Sequence, residues 1–226
     1  MKYVEWKELH APKLSVLKAF SAIKYKSENL PLYRLLNDKG NRKLPSTTAI
    51  FNMATATNCP SKKLNLCKAS LQGAHCYALK AEYLYPQVLP YRKKQAIFWK
   101  KVNAEDFAHQ FLMINAFKKN PFNALRVNES GDFNSQECVD KMEKIARILK
   151  RYGIVTYAYT SRSDLDFSRV RDFVIHGSGF SKVGIRGIFK IIPNKKAKVK
   201  GYSMCRMSCK VCQLCQKFSN VCVVKH

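Results

Sequence analysis

Near its end the chain carries Cys205-Arg-Met-Ser-Cys209-Lys-Val-Cys212-Gln-Leu-Cys215, a C-x3-C-x2-C-x2-C run. Thiols this close together let a short stretch of backbone wrap one compact inorganic centre, as [4Fe–4S] clusters commonly require. A cluster on Cys205, Cys209, Cys212 and Cys215 is therefore the first reading. Tetrahedral zinc is the alternative, although zinc sites usually pair two cysteine knuckles across a longer spacer, and this run has no such gap. Unliganded thiols are the third. Either metal centre would be anionic with four thiolates, and Arg206, Lys210 and Lys217 stand near enough in sequence to offset that charge. Cationic neighbours also favour the ligating thiolate form.

A looser second set, Cys59-x7-Cys67-x8-Cys76, fits no familiar zinc spacing. Three such ligands would hold a cluster with one open iron, or anchor a loop against the tail centre. Cys138 falls inside a helical pattern and reads as a small apolar residue, and Cys222 as a spare ligand or a bystander. The chain has nine cysteines. A disulfide framework belongs to small secreted domains, which this chain does not resemble, so metal binding in a reducing compartment is the better account.

Among the titratable groups, Asp132 follows a strand pattern. It is a candidate to accept a hydrogen bond from a ligand amine or to act as a base, against the ordinary role of a turn aspartate. His176, before Gly177-Ser178-Gly179, is a candidate acid–base or phosphate-binding residue, against a plain loop. Tyr91, Phe98 and Trp99 interleave with Arg92, Lys93, Lys94, Lys100 and Lys101, a mixture that suits single-stranded nucleic acid. On a helix the same spacing more simply puts the aromatics in the core and the lysines in water.

The elements that must position these groups alternate. Residues 47–53 read as a strand leading into the cysteine-bearing loop at 58–76. Helical patterns follow at 77–85, 91–102 and 104–119, the last with Phe107, Phe111, Ile114 and Phe117 on one face. Residues 124–127, 154–159, 173–175 and 185–192 read as further strands, and 134–151 as a helix started by Asn134 with Glu137 three residues on. Strands alternating with helices imply a mostly parallel α/β sheet, whose functional groups gather at the strands' carboxyl ends. The expected organisation is a basic N-terminal preamble at 1–45 with a helical stretch at 15–25, a core at 46–200, and a cysteine-rich tail at 201–226 belonging to the same domain. Residues 195–200 read as a basic linker.

The charge is extreme: 41 Lys and Arg face 15 Asp and Glu, a formal +26. Beyond Asp172 there is no acidic residue, while 11 Lys or Arg follow. Such a surface attracts nucleic acid first, then other polyanions. No apolar run approaches the ~20 residues of a membrane span, and no signal-peptide stretch is seen, so the expected location is cytoplasmic, the host cytoplasm for a viral protein.

Several of these motifs together resemble the phage gene product 88 family: the Asn58-Cys59-Pro60 loop, Cys76-Tyr77-Ala78, Ser130-Gly131-Asp132-Phe133, Tyr159-Thr160-Ser161 and the terminal cysteine run. The resemblance implies a viral protein with a TIM-type (β/α) barrel, here compact or incomplete because the chain is shorter than a typical barrel. It implies an iron–sulfur cluster ligated by Cys205, Cys209, Cys212 and Cys215. It assigns binding-face roles to Ser130, Asp132, Tyr159 and Thr160. More distantly, the layout is similar to radical S-adenosylmethionine enzymes, in which Cys59, Cys67 and Cys76 would be the matching loop. Their spacing departs from that family's C-x3-C-x2-C, and Cys215 would fill the iron such a cofactor needs.

Overall fold

The computed structural model describes residues 31–37, 43–67, 76–194, 196–197, 199–217 and 219–224. After a 3-10 turn at Leu32–Arg34 come β1 (Thr48–Phe51), α1 (Pro60–Lys63), α2 (Tyr77–Leu84), α3 (Val88–Lys101) and α4 (Ala104–Ala116). Then follow β2 (Ala124–Val127), α5 (Gln136–Lys150), β3 (Val155–Thr160), β4 (Phe173–Ser178), β5 (Gly187–Ile192) and β6 (Ser203–Met204). The helical turn α6 (Cys209–Cys212), a 3-10 turn (Leu214–Gln216) and β7 (Val221–Val224) complete the order.

The strands form one seven-stranded sheet, β1-β2-β3-β4-β5-β7-β6, parallel at every pairing. Alternation along each strand sorts side chains onto two faces. One face carries Ala49, Phe51, Leu125, Val127, Ala158, Phe173 and Ile175, and it packs with Phe98, Trp99, Phe107, Phe111, Val139, Met142 and Ile145 of α3, α4 and α5. The other carries Ile50, Arg126, Tyr157, Val174, Tyr159 and His176, as the registers Ile50↔Arg126↔Tyr157↔Val174 and Tyr159↔His176 require.

The helices follow from local sequence. Asn103 caps α4 by accepting from the Asp106 N–H, and Glu105 and Asp106 meet the positive end of the helix dipole. In α5 the buried residues Val139, Met142, Ile145, Ala146 and Leu149 recur at three- and four-residue steps. Its start differs from the sequence expectation: Ser135, not Asn134, is the N-cap, and no side chain caps it. The Ser135 hydroxyl instead points at the Cys138 sulfur, at 3.8 Å.

The parallel α/β class stands, but the barrel does not close. β1 and β6 are the outer strands and do not pair with each other. β6 is two residues long, too short to offer a closing ladder, and the far side of β1 takes a bridge from Asn37 to Ile50. The strand expected at 173–175 runs on to Ser178, because His176, Gly177 and Ser178 pair with Gly187, Ile188 and Phe189 of β5. His176 therefore lies within a strand and not in a loop. The tail supplies two strands of the sheet, with β7 inserted between β5 and β6. Leu32, Leu35 and Leu36, within the expected preamble, are buried in the main core. The helix expected at 15–25 lies outside the described residues, and so do parts of the 195–200 linker. The aromatic–basic helix resolves as core: Phe98 and Trp99 are buried, and the Tyr91 hydroxyl donates to the Leu35 carbonyl.

Glu143 fixes how β4 enters the sheet. Its carboxylate accepts from the backbone N–H groups of Arg171, Asp172 and Phe173 at 3.0–3.2 Å. Glu143→Ala strands three donors beside a buried strand start, and urea denaturation is expected to show a loss of about 3 kcal/mol.

Candidate functional site

The residues singled out in the sequence fall into two separate groups. The first lies behind the carboxyl ends of β1, β2 and β3. Asp132 is buried, and four donors surround its carboxylate: the hydroxyls of Ser61 (2.6 Å) and Thr160 (2.7 Å), and the N–H groups of Ser161 and Phe133 (both 2.9 Å). Burial raises its proton affinity above the usual carboxylate range, and these hydrogen bonds pull against that rise. Its oxygens are thus occupied by the protein's own donors. The arrangement ties the Cys59 loop, through Ser61 in α1, to β3. Gly131 makes the turn with φ +72°, and a Cβ there would meet the Ala54 carbonyl oxygen at 2.5 Å, so only glycine fits.

Ser130 is a brace in the same region. Its N–H donates to Asn52 at 2.8 Å and its hydroxyl to Glu82 at 3.3 Å. Glu82 itself accepts from the Ala56 N–H (2.7 Å), the Thr57 N–H (2.9 Å) and hydroxyl (2.7 Å), and Arg92 (3.1 Å). Burial alone would raise the Glu82 carboxyl, and these hydrogen bonds outweigh it and hold it below the ordinary carboxylate value. Neither Glu82 nor Arg92 stood out as a partner in the sequence, because the contacts span 25, 26 and 10 positions. Cys59 is half-buried, and burial pushes its thiol up to about 11, with the charges of Asp132 and Cys67 adding to the rise.

The second group faces the other side of the sheet. The crossover from β6 to β7 contains Cys205, Cys209, Cys212 and Cys215, all free thiols and all half-buried. It leaves the carboxyl end of β6 and comes back across the sheet face opposite α3, α4 and α5, where the Leu214–Gln216 turn touches β3 and β4. The Cys209 N–H donates to the Lys43 carbonyl at 2.9 Å. His176 Nε2 lies 3.0 Å from the Cys215 carbonyl oxygen; a carbonyl only accepts, so the imidazole carries its proton on Nε2. Burial lowers the His176 pKa and keeps the ring neutral. Gly187 permits the close fit, since a Cβ there would meet the Ser219 carbonyl oxygen at 2.0 Å and His176 Nδ1 at 2.7 Å.

Tyr159 lies close enough to Cys215 for its hydroxyl to pull that thiol's proton affinity down. Tyr159 and Thr160, adjacent in sequence, therefore serve opposite faces, the first the thiols and the second Asp132. Burial pushes the Cys209 and Cys215 thiols up, and Arg126 pulls both back. Cys205 acts electrostatically on both, so these sulfurs are neighbours. Arg126 and Tyr157 were missed in the sequence; the available signal was a lone arginine inside the apolar strand Ala124-Leu125-Arg126-Val127. Two left-handed residues shape the crossover, Met207 (φ 59°) and Gln213 (φ 49°), neither of a type that favours this conformation. Among the described residues, no three His, Cys, Asp or Glu side chains are gathered so as to hold a single metal ion.

Fold and site together define a basic, open parallel α/β protein whose last described crossover lays free cysteines over the sheet face opposite its three long helices. Residues 30–183 match the family model described as Gene product 88, and the chain belongs to that phage-type family. The matched stretch includes Cys59, Asp132, Tyr159 and His176 and stops before the four-cysteine crossover. No curated protein and no solved structure matches the chain. Among the described residues, no helix is long and apolar enough to cross a membrane.

Two outcomes are expected. A carboxyl held below its ordinary value contributes stability that is complete above that value and is lost as pH falls through the depressed one. Glu82→Gln should therefore flatten the acid limb of melting temperature against pH relative to the unsubstituted protein. Gln213→Gly relieves a left-handed side chain and should raise the unfolding free energy of metal-free protein by about 1 kcal/mol, read by chemical denaturation.

Proposed function

We propose that this chain is a basic iron–sulfur protein that binds nucleic acid or another polyanion, with a [4Fe–4S] centre on Cys205, Cys209, Cys212 and Cys215. The supporting observation is the placement of all four cysteines, reduced, in one crossover that lies over Arg126, Tyr157, Tyr159 and His176. The donor set fits such a group: it is all thiol, and the Tyr159 hydroxyl and the Arg126 guanidinium both favour the anionic form of Cys215. The cluster serves as a structural clamp or a redox sensor on the open face of the sheet.

A cubane suits these thiols better than a single zinc ion. Zinc would draw all four sulfurs to ~2.3 Å from one point, whereas a cubane binds each thiolate at a different iron and tolerates a wider spread. The S-adenosylmethionine alternative gains nothing from Asp132, whose oxygens are already taken by four donors.

Anaerobically purified protein should contain iron and acid-labile sulfide in equal amounts, with a brown chromophore that Cys209→Ser or Cys215→Ser diminishes. Stoichiometric zinc without sulfide would overturn the cluster. The polyanion role has its own check. With several phosphates neutralised, affinity for single- or double-stranded DNA should fall on the order of 10³-fold or more between about 50 and 200 mM salt. Binding that is undetectable at the lower salt would remove that part of the proposal.

A further inference from the structure

The aromatic–basic mixture expected at residues 91–101 resolves as core, and the exposed rings stand one helix earlier. α2 is inverted for a surface helix. It buries Ala78 and the carboxylate of Glu82, and it exposes Tyr77, Lys80, Tyr83 and Leu84, with Tyr85 just beyond its end. Tyr77, Leu84 and Tyr85 are more than half exposed, and Tyr83 is 78% exposed. Steps of three, six and seven residues from Tyr77 put the first four on one side of the helix. Polar groups ordinarily occupy that side, and a contiguous patch of exposed rings marks an interaction site.

The charges around these rings say what suits them. From Pro60 to Lys101, the span of α1, α2 and α3, there are nine Lys or Arg and one acidic residue, Glu82. Glu82 is buried, paired with Arg92 and bonded to the Ala56 and Thr57 amides, so it offers nothing to a partner. Lys80 stands within the stripe, and Lys62 and Lys63 of α1 and Lys93 and Lys94 of α3 are exposed. Arg92 holds α3 against α2 by donating to the Ala78 carbonyl at 2.9 Å. Glu129 accepts the Tyr77 hydroxyl on its backbone carbonyl at 2.7 Å, which fixes that ring, while its carboxylate faces Arg126. The face is therefore cationic throughout, complementary to a polyanion. Protein interfaces are poor in lysine, whereas rings interleaved with lysines suit unpaired bases on a phosphate backbone. A duplex keeps its base faces stacked on one another and presents phosphates and groove edges instead.

We propose that the outer face of α2 is a docking platform for single-stranded nucleic acid. Tyr83 and Tyr85 stack on unpaired bases, Tyr77 adds a ring held in place, and Lys80 meets the phosphates. The proposal deepens the polyanion part of the function above and rests on it, and it is independent of any metal centre.

The test uses the full chain and the fluorescence anisotropy of labelled oligo-dT and of a labelled duplex of equal length, at about 50 mM salt. Tyr83→Ala is expected to weaken oligo-dT binding on the order of 10-fold, and the Tyr83→Ala/Tyr85→Ala pair to weaken it further. Duplex affinity stays at the unsubstituted value, and Tyr83→Trp keeps oligo-dT affinity. Alanine variants that hold oligo-dT as tightly as the unsubstituted protein, or that lose single strand and duplex equally, overturn the platform and leave polyanion binding in place. Unsubstituted protein that binds the duplex alone does the same. So does self-association that Tyr83→Ala abolishes without changing oligo-dT affinity, since the face is then a contact between copies of the chain. Should the double variant melt lower than the unsubstituted protein, Tyr83→Ala alone decides. Unsubstituted protein that binds neither nucleic acid overturns the polyanion reading, and the platform with it.

Discussion

A parallel sheet has two faces to bury, and among the described residues the three longest helices cover one of them. α3, α4 and α5 pack on the side that carries Phe51, Leu125, Ala158 and Ile175. The opposite side is met by the β6–β7 crossover, whose Leu214–Gln216 turn touches β3 and β4, and by the start of α2, where Tyr77 donates to the carbonyl of Glu129, the ion-pair partner of Arg126. A segment of cysteines, polar residues and short turns is a poor hydrophobic lid. It lies there through specific contacts: the bond from His176 to the Cys215 carbonyl, the one from the Cys209 amide to the Lys43 carbonyl, and the turn at Leu214–Gln216 against β3 and β4. The polar character of that face follows, because a core of leucines would have nothing to offer such a lid.

The same constraint separates the two groups at the strand ends. Residues that point toward the helices, Thr160 and Asp132 with Ser61, brace the loop after β1 and leave no unfilled acceptor on the carboxylate. Those that point the other way, Tyr159 and His176 with Arg126, meet the crossover. One step along β3 moves a side chain from a structural hydrogen-bond cluster to the thiol-bearing interface. The family match covers both groups, whereas the cysteines that complete the second lie outside it.

Much of this was legible in the sequence where a signal is local. The strand at Ala124–Val127, the helix from Tyr77 and the amphipathic α5 were all readable from short-range pattern, and the clustered cysteines from spacing alone. What local pattern missed depends on distant partners. The extension of β4 through His176 needs β5 beside it, because His-Gly-Ser reads as a loop until a ladder claims its backbone. The Glu82–Arg92 brace looks like two ordinary charges on a lysine-rich chain until both are buried around Ala56 and Thr57. The resemblance implied a compact or incomplete TIM-type barrel; the sheet is open, and its edge strand β6 is two residues long.

The insertion of β7 between β5 and β6 makes one end of the sheet a detachable pair. Among the described residues β6 pairs with β7 alone, and β7 joins the rest of the sheet through β5. Losing the β5–β7 ladder would therefore release both strands together with the crossover between them, and uncover Tyr159 and His176 in one step.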